Sequence, residues 1–225
     1  MSATRKVVVG LTGNIATGKS LVLGMLRELG ATTIEADELA HRLMRRGQPL
    51  YDPIVAEFGH SILDGDGEID RRKLGEIVFA DPQALARLER ITHPGVIQEA
   101  RQLVADAPAG VVVVEAVKLL ESGMAADCDA VWVVTSREEV QLERLMSQRH
   151  LSRPQAMLRI RAQPPQADKV RRAQVVIDNS GDVLETRKAV ERQYAAVRRS
   201  LAAGVHFSLG AGCGQAATIG RIDLP

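Results

Sequence analysis

Short β-branched apolar runs alternate with stretches of helical period along most of this chain: Lys6–Leu11, Thr32–Glu35, Val111–Glu115, Ala130–Thr135 and Val175–Asp178. Their nearly unbroken apolar character predicts strands buried on both faces, as in a parallel sheet, rather than half-exposed antiparallel strands. Strands separated by helices need right-handed crossovers, so the expected fold class is α/β, a doubly wound five-stranded parallel sheet. Between Leu39 and Ala107 the pattern is helical with no convincing strand. This predicts a helical insertion on the substrate side over about 39–107, flanked by core portions over about 1–38 and 108–203. Expected helices in it are Glu38–Arg46, Arg71–Phe79 and Pro82–Ile91, with Gly47-Gln48-Pro49 and Asp64-Gly65-Asp66-Gly67 as turns. Later helices are expected at Arg137–Arg149, Gln155–Ala162 and Asp182–Arg199. The first of these carries Val140, Leu142, Leu145 and Met146 on a face expected to enter the core. Gly204–Pro225, rich in Gly and Ala without a period, reads as a flexible tail behind a single domain over 1–203.

Composition narrows the class mainly by exclusion. Lys and Arg total 29 against 28 Asp and Glu, so the net charge of +1 carries no global nucleic-acid or membrane signature. Aromatic residues at 3% leave few platforms for stacking bases. Cys128 and Cys213 have neither metal-ligand spacing nor a disulfide framework, which suits a reducing, cytoplasmic setting. No apolar run approaches the roughly 20 residues that span a bilayer. Oligomeric state leaves no trace in the pattern.

The chemistry begins at Gly13-Asn14-Ile15-Ala16-Thr17-Gly18-Lys19-Ser20, which fits G-x-x-x-x-G-K-[ST] between an expected strand and an expected helix. Gly13 and Gly18 allow turns in which successive N–H groups point at phosphate oxygens. The helix opening at Ser20 and Leu21 adds its positive end. Lys19 would reach the β- and γ-phosphates of a nucleotide such as ATP, and the Ser20 hydroxyl would ligate Mg²⁺.

Phosphoryl transfer also needs an acid to orient the acceptor, a metal, and cations to neutralise the transferring group. Glu35-Ala36-Asp37 follows the second strand, and alternation places its two carboxylates on one side if the strand persists. Asp37 is the candidate base; an N-cap for a helix starting near Glu38 is the alternative. Glu35 and Glu115, at strand ends, could hold Mg²⁺ through water. Arg144, Arg149, Arg153, Arg159 and Arg161 form a dense arginine series, and a segment over about 149–165 would make a lid that excludes water on closing.

With these residues in place the chain resembles the dephospho-coenzyme A kinase family, P-loop enzymes of the nucleotide-kinase-like group. The matching pieces run in order over roughly 6–195. They are the phosphate loop, Glu35-Ala36-Asp37, Arg71-Arg72-Lys73-Leu74 with Val78-Phe79, and His93-Pro94. After these come Leu119-Leu120, Gln141–Leu145, Arg149, Arg159-Ile160 and Ile177-Asp178-Asn179-Ser180-Gly181. The resemblance implies transfer of a phosphoryl group from ATP to the ribose 3′-hydroxyl of dephospho-CoA, a small-molecule partner. It implies Asp37 as base, Lys19 and Ser20 on phosphates and Mg²⁺, and Arg144 and Arg149 as lid-side phosphate contacts. It also places Asn179 near the adenine of ATP, and His93 and Arg72 in the acceptor region. Three departures stand out. Asn14 and Ala16 replace common glycines, Glu35 replaces an aspartate, and Lys118 replaces a proline, so that Lys118 is expected either to contact a substrate phosphate or to be a surface lysine.

Overall fold

The computed structural model describes residues 6–108 and 110–203, so the tail expected over 204–225 lies outside the described residues. Five strands, β1 (Lys6–Thr12), β2 (Thr32–Glu35), β3 (Gly110–Glu115), β4 (Ala130–Thr135) and β5 (Val175–Asp178), form one sheet in the order β2-β3-β1-β4-β5. All of their pairings are parallel. Each strand expected from the sequence is present, to within a residue at either end.

Alternation along the central strands divides their side chains between two cores. Val7, Val9 and Leu11 of β1, Val111 and Val113 of β3, and Trp132 and Val134 of β4 meet α1 (Lys19–Glu28) and α9 (Val183–Ala203) on one face. Val112, Val114, Val131 and Val133 turn to the other face. There they join Leu39 and Leu43 of α2 (Ala36–Leu43), Ile54 of α3 (Tyr51–Phe58), Leu74 of α4 (Arg71–Ala80) and Val96 of α5 (Pro82–Asp106) in one cluster. The helical segment therefore packs directly on the sheet. Burying each such side chain contributes about 1.5–3 kcal/mol, which anchors α2 beside the carboxyl end of β2.

Several elements differ from the sequence expectation. Helix α2 begins at Ala36 rather than Glu38, with Glu35 as its extended N-cap, so strand alternation stops short of Asp37. Asp37 and Glu38 occupy the first turn instead, where the positive helix end favours carboxylates. Helix α5 continues through Pro94 to Asp106 instead of ending at Ile91. A proline inside a helix costs about 3 kcal/mol. Ala84 before it and Val96 and Ala100 after it are all buried in one cluster, and that burial offsets the lost backbone bond.

Helices α6 (Glu138–Arg149) and α7 (Arg153–Arg161) appear near their expected places, whereas α3 and α8 (Gln166–Val170) have no counterpart in the sequence reading. Pro154 sits in the first turn of α7, where no backbone donor is needed, behind a Ser152–Gln155 capping box. On α6, Leu142 and Leu145 are buried as expected, Val140 is half-buried, and Met146 is exposed. Asp64–Gly67 is a surface turn, its Asp64 Oδ1 accepting from the N–H groups of Asp66 and Glu68 at 3.0 and 2.9 Å. No described helix is long and apolar enough to cross a membrane.

Candidate active site

The chain leaves β1 into Gly13–Ser20, and α1 opens at Lys19. Gly18 is the N-cap at φ +91°, a left-handed conformation, and a Cβ there would also collide with Asn179 Nδ2. Gly13 is needed for a close approach, since a Cβ would strike the carbonyl oxygen of Val134. Ser20 and Leu21 lie exposed on the first turn of α1.

The loop is braced from below. Asn179 Nδ2 donates to the Thr17 carbonyl at 2.8 Å, while its Oδ1 accepts from Thr186 Oγ1 at 3.0 Å. Arg144 donates through Nη1 to the carbonyls of Ala16 and Thr17, both at 3.2 Å, and through Nη2 to that of Asn179 at 2.8 Å. Asn179 is wholly buried, with both ends of its amide engaged within the protein. The structure places its side chain beneath the loop.

A second set of bonds ties the loop to the segment following α7. Asn14 Nδ2 donates to the Pro164 carbonyl at 3.0 Å, and the Ile15 N–H donates to Gln163 Oε1 at 2.7 Å. Sequence reasoning missed these contacts. They join residues about 150 apart, and the only signal was a polar side chain at position 14 where glycine is common.

Ala16 stands at φ +58°. A left-handed residue with a Cβ costs about 1–2 kcal/mol, against about 0.4–1 kcal/mol for glycine's extra freedom in the unfolded chain. Ala16→Gly is therefore expected to stabilise by about 0.8 kcal/mol, the middle of that difference, a rise in Tm of about 2–3 °C for a chain of this size. A lower Tm would mean that the Ala16 methyl group, packed with Leu145 and Ala156, outweighs the strain.

Acids converge at the carboxyl ends of β2 and β3. Glu115 pairs in register with Leu11 of β1 and Glu35 of β2. Its Oε1 lies 3.9 Å from Lys19 Nζ, and both side chains are largely buried. Burial pushes the Glu115 carboxyl up to about 7; Lys19 opposes the shift, and the charges of Asp37 and Glu35 add to it. Burial also pulls the Lys19 ammonium below the usual lysine range, opposed by Glu115 and Asp37 and reinforced by Lys169 and Arg149. Glu35 itself turns outward to Arg27 at 2.9 Å.

Asp37 lines a cavity of about 270 Å³ with Ala40, Thr92, His93, Val96 and Lys118. Lys118 is ion-paired with Glu89 of α5. Burial lowers the His93 pKa, with Glu89 opposing and Lys118 reinforcing. Arg72 is not brought to this cavity: it is exposed and paired with Glu76 of its own helix at 3.6 Å. The preceding residue, Arg71, is the one that faces a cavity beside α2. Arg149 is exposed at the end of α6, near enough for its charge to act on Lys19.

Among the described residues no three His, Cys, Asp or Glu side chains converge as a metal cluster. The donors at hand are the Ser20 hydroxyl and the Glu115 carboxylate. Such a sparse set of hard oxygen ligands suits Mg²⁺, which keeps several waters and binds through nucleotide phosphates.

A parallel sheet in this order, with a G-x-x-x-x-G-K-S loop leaving its central strand and an acid ending the neighbouring one, is the framework of a P-loop kinase. A family-wide sequence model described as dephospho-CoA kinase matches residues 7–185. A dephospho-CoA kinase of Carboxydothermus hydrogenoformans is 44% identical over 186 residues, covering 81% of this chain and 90% of that protein. A protein of solved structure from Thermus thermophilus superposes with a TM-score of 0.74 at 31% identity, covering 85% of this chain and 97% of its own. The dephospho-CoA kinase of Campylobacter jejuni does so at 0.62 and 27%, covering 87% and 98%. The chain belongs to the dephospho-CoA kinase family, and with it to the enzymes that spend a nucleotide on a small-molecule acceptor.

Proposed function

We propose that this chain transfers the γ-phosphoryl group of ATP to the ribose 3′-hydroxyl of dephospho-CoA, giving CoA and ADP, the last step of coenzyme A synthesis. The observation that carries the reading is the position of Asp37. It stands in the first turn of α2, lining a cavity, and its charge reaches both Lys19 and Glu115.

In this reading backbone N–H groups of the Gly13–Ser20 loop, other than that of Ile15, which donates to Gln163, cradle the triphosphate, and Asn179 and Arg144 hold that backbone in shape. Lys19 stays on the phosphates as they redistribute charge, which is where a fixed cation lowers a barrier most. Asp37 orients the acceptor hydroxyl and takes its proton as the oxygen attacks phosphorus. Ser20 and Glu115 would hold Mg²⁺, which neutralises charge on the phosphates when bound. Arg149, with Arg153, Arg159 and Arg161 on the adjoining segment, supplies further cations on the lid side over about 149–165, and their forks match phosphate oxygens.

A coupled ADP-release assay tests the reading directly. ADP release is expected to rise strongly on adding dephospho-CoA, to cease with EDTA, and to return with excess Mg²⁺. Release that ignores dephospho-CoA but responds to another nucleoside or sugar would assign a different acceptor. Release unaffected by any acceptor would make the chain a nucleotide-dependent switch rather than a transferase.

A further inference from the structure

Helix α2, which carries Asp37 into its cavity, also walls a larger one of about 840 Å³. It runs along the edge strand β2 and is walled by α2, the first residue of α4 and the last turn of α5. Three cations line it, Arg42, Arg45 and Arg71, together with His41, whose pKa burial holds below the usual histidine range. Arg42 is committed to Glu99 at 2.5 Å. Among the described residues Arg45 and Arg71 make no ion pair, and both are exposed to the cavity's solvent.

The acids on the same wall are partly spoken for. Glu35 is held by Arg27 at 2.9 Å, and Asp106 accepts from Gln102 Nε2 at 3.0 Å. Glu38 is the remaining carboxylate, in the first turn of α2. His41, Arg45 and Arg71 also wall a smaller adjoining cavity of about 190 Å³, whose single acid, Glu68, accepts from the Arg46 N–H at 3.0 Å.

Position along the helix connects this cluster to the chemistry. Asp37, His41 and Arg45 follow one another at intervals of four residues, which places them on one face. Helix α2 ends at Leu43, but the bonds from Met44 N to Ala40 O and from Arg45 N to Arg42 O carry the turn on to Arg45. At about 1.5 Å of rise per residue, His41 lies about 6 Å and Arg45 about 12 Å along the axis from Asp37. His41 and Arg71 line the same two cavities, and the charges of Arg71, Asp37 and Glu38 all act on the His41 ring.

The acceptor of the proposed reaction has a matching layout. Its ribose carries the 3′-hydroxyl and, only a few bonds away on the 5′-carbon, a diphosphate that leads into a long polar arm. The nucleotide's own phosphates belong on the other side of Asp37, on the loop. We propose that His41, Arg45 and Arg71 form the subsite for the acceptor's diphosphate, holding dephospho-CoA so that its 3′-hydroxyl meets Asp37 while the arm lies along β2. The arginine forks suit a diphosphate, whose oxygens accept paired N–H bonds. This subsite rests on the acceptor reading given above.

The test uses the full-length protein with Arg45→Gln, Arg71→Gln and the double variant, at saturating ATP. Each single change is expected to raise the KM for dephospho-CoA about 10-fold and the pair roughly 100-fold, as for lost hydrogen bonds to a charged group. The KM for ATP should stay within about twofold. Titration of dephospho-CoA into the protein should show the same loss and a weaker dependence of Kd on salt. Adenosine, which lacks the diphosphate, should compete with dephospho-CoA equally well against wild type and variants. Arg71→Lys should recover part of the affinity.

Arg46→Gln, which removes an exposed neighbouring cation that lines neither cavity, is the control and should leave the KM for dephospho-CoA unchanged. A double variant whose KM and Kd match wild type overturns the subsite, as does an equal loss for adenosine or for Arg46→Gln. Failure of the wild type to phosphorylate dephospho-CoA would instead overturn the acceptor reading itself. If Arg71→Gln melts early, Arg45→Gln, at a site exposed beyond the end of α2, decides alone.

Discussion

Asp37→Asn is expected to lower kcat by roughly 10²–10⁴-fold, the range for a positioned general base, with the Kd for ATP little changed. The substitution keeps size and shape and removes the negative charge, and with it the ability to take a proton. The structure narrows what else could be lost. Glu35, not Asp37, is the N-cap of α2, and no side chain makes a capping bond there. The remaining structural contribution of Asp37 is its charge in the first helical turn, worth about 0.3–1 kcal/mol. That would show as a small fall in Tm and could not account for a hundredfold loss of rate. Single-turnover measurements at saturating ATP and dephospho-CoA separate the two effects. A rate within about threefold of wild type would leave Asp37 with the helix-end role alone.

Lys19→Met should reduce kcat by about 10²–10³-fold, comparable to losing one preorganised donor to developing charge. Lys19 and Glu115 form a mutually dependent pair at 3.9 Å, shielded from solvent. Removing the ammonium takes away the cation that opposes the upward shift of Glu115, a carboxyl already pushed to about 7 by burial. Methionine fills much of the same volume, so the fold should persist and the loss should fall on rate and nucleotide affinity together. The measurement is kcat and the Kd for ATP with excess Mg²⁺. Unchanged kcat with a weaker Kd would mean that Lys19 binds ground and transition states alike.

The departures from the family pattern take on physical meaning in three dimensions. Asn14 adds a side-chain bond from the phosphate loop to Pro164, a contact that glycine cannot make. Ala16 holds a left-handed conformation that glycine would adopt more easily. Lys118, placed by its charge as a candidate phosphate contact, is found paired to Glu89 at the wall of the Asp37 cavity. A phosphate would have to compete with that carboxylate for it.

What the sequence by itself determined is the set of features in which local pattern and chemistry coincide. The central strands, buried on both faces, leave little choice but unbroken Val-rich runs. The half-exposed edge strands β2 and β5 keep β-branched residues, so all five are visible as β-branched segments. The loop from Gly13 to Ser20 is also local, because glycines, lysine and hydroxyl must follow one another in a single turn.

Only the tertiary structure decided what depends on burial against distant partners. Nothing near Pro94 shows that α5 runs through it, because the burial that offsets the lost bond comes from the packing of Val96 and Ala100 in the cluster that also holds Val112 and Val131. The start of α2, which moves Asp37 from a strand to a helix, likewise depends on how Ala36 and Leu39 pack beneath it. Asn179 and Arg144 reach the loop across more than a hundred residues. Whether Arg71 or Arg72 faces the cavity beside α2 turns on a rotation of about 100° along one helix. The chain thus carries its chemistry in short words, while the folded core decides which side chains those words bring to the acceptor.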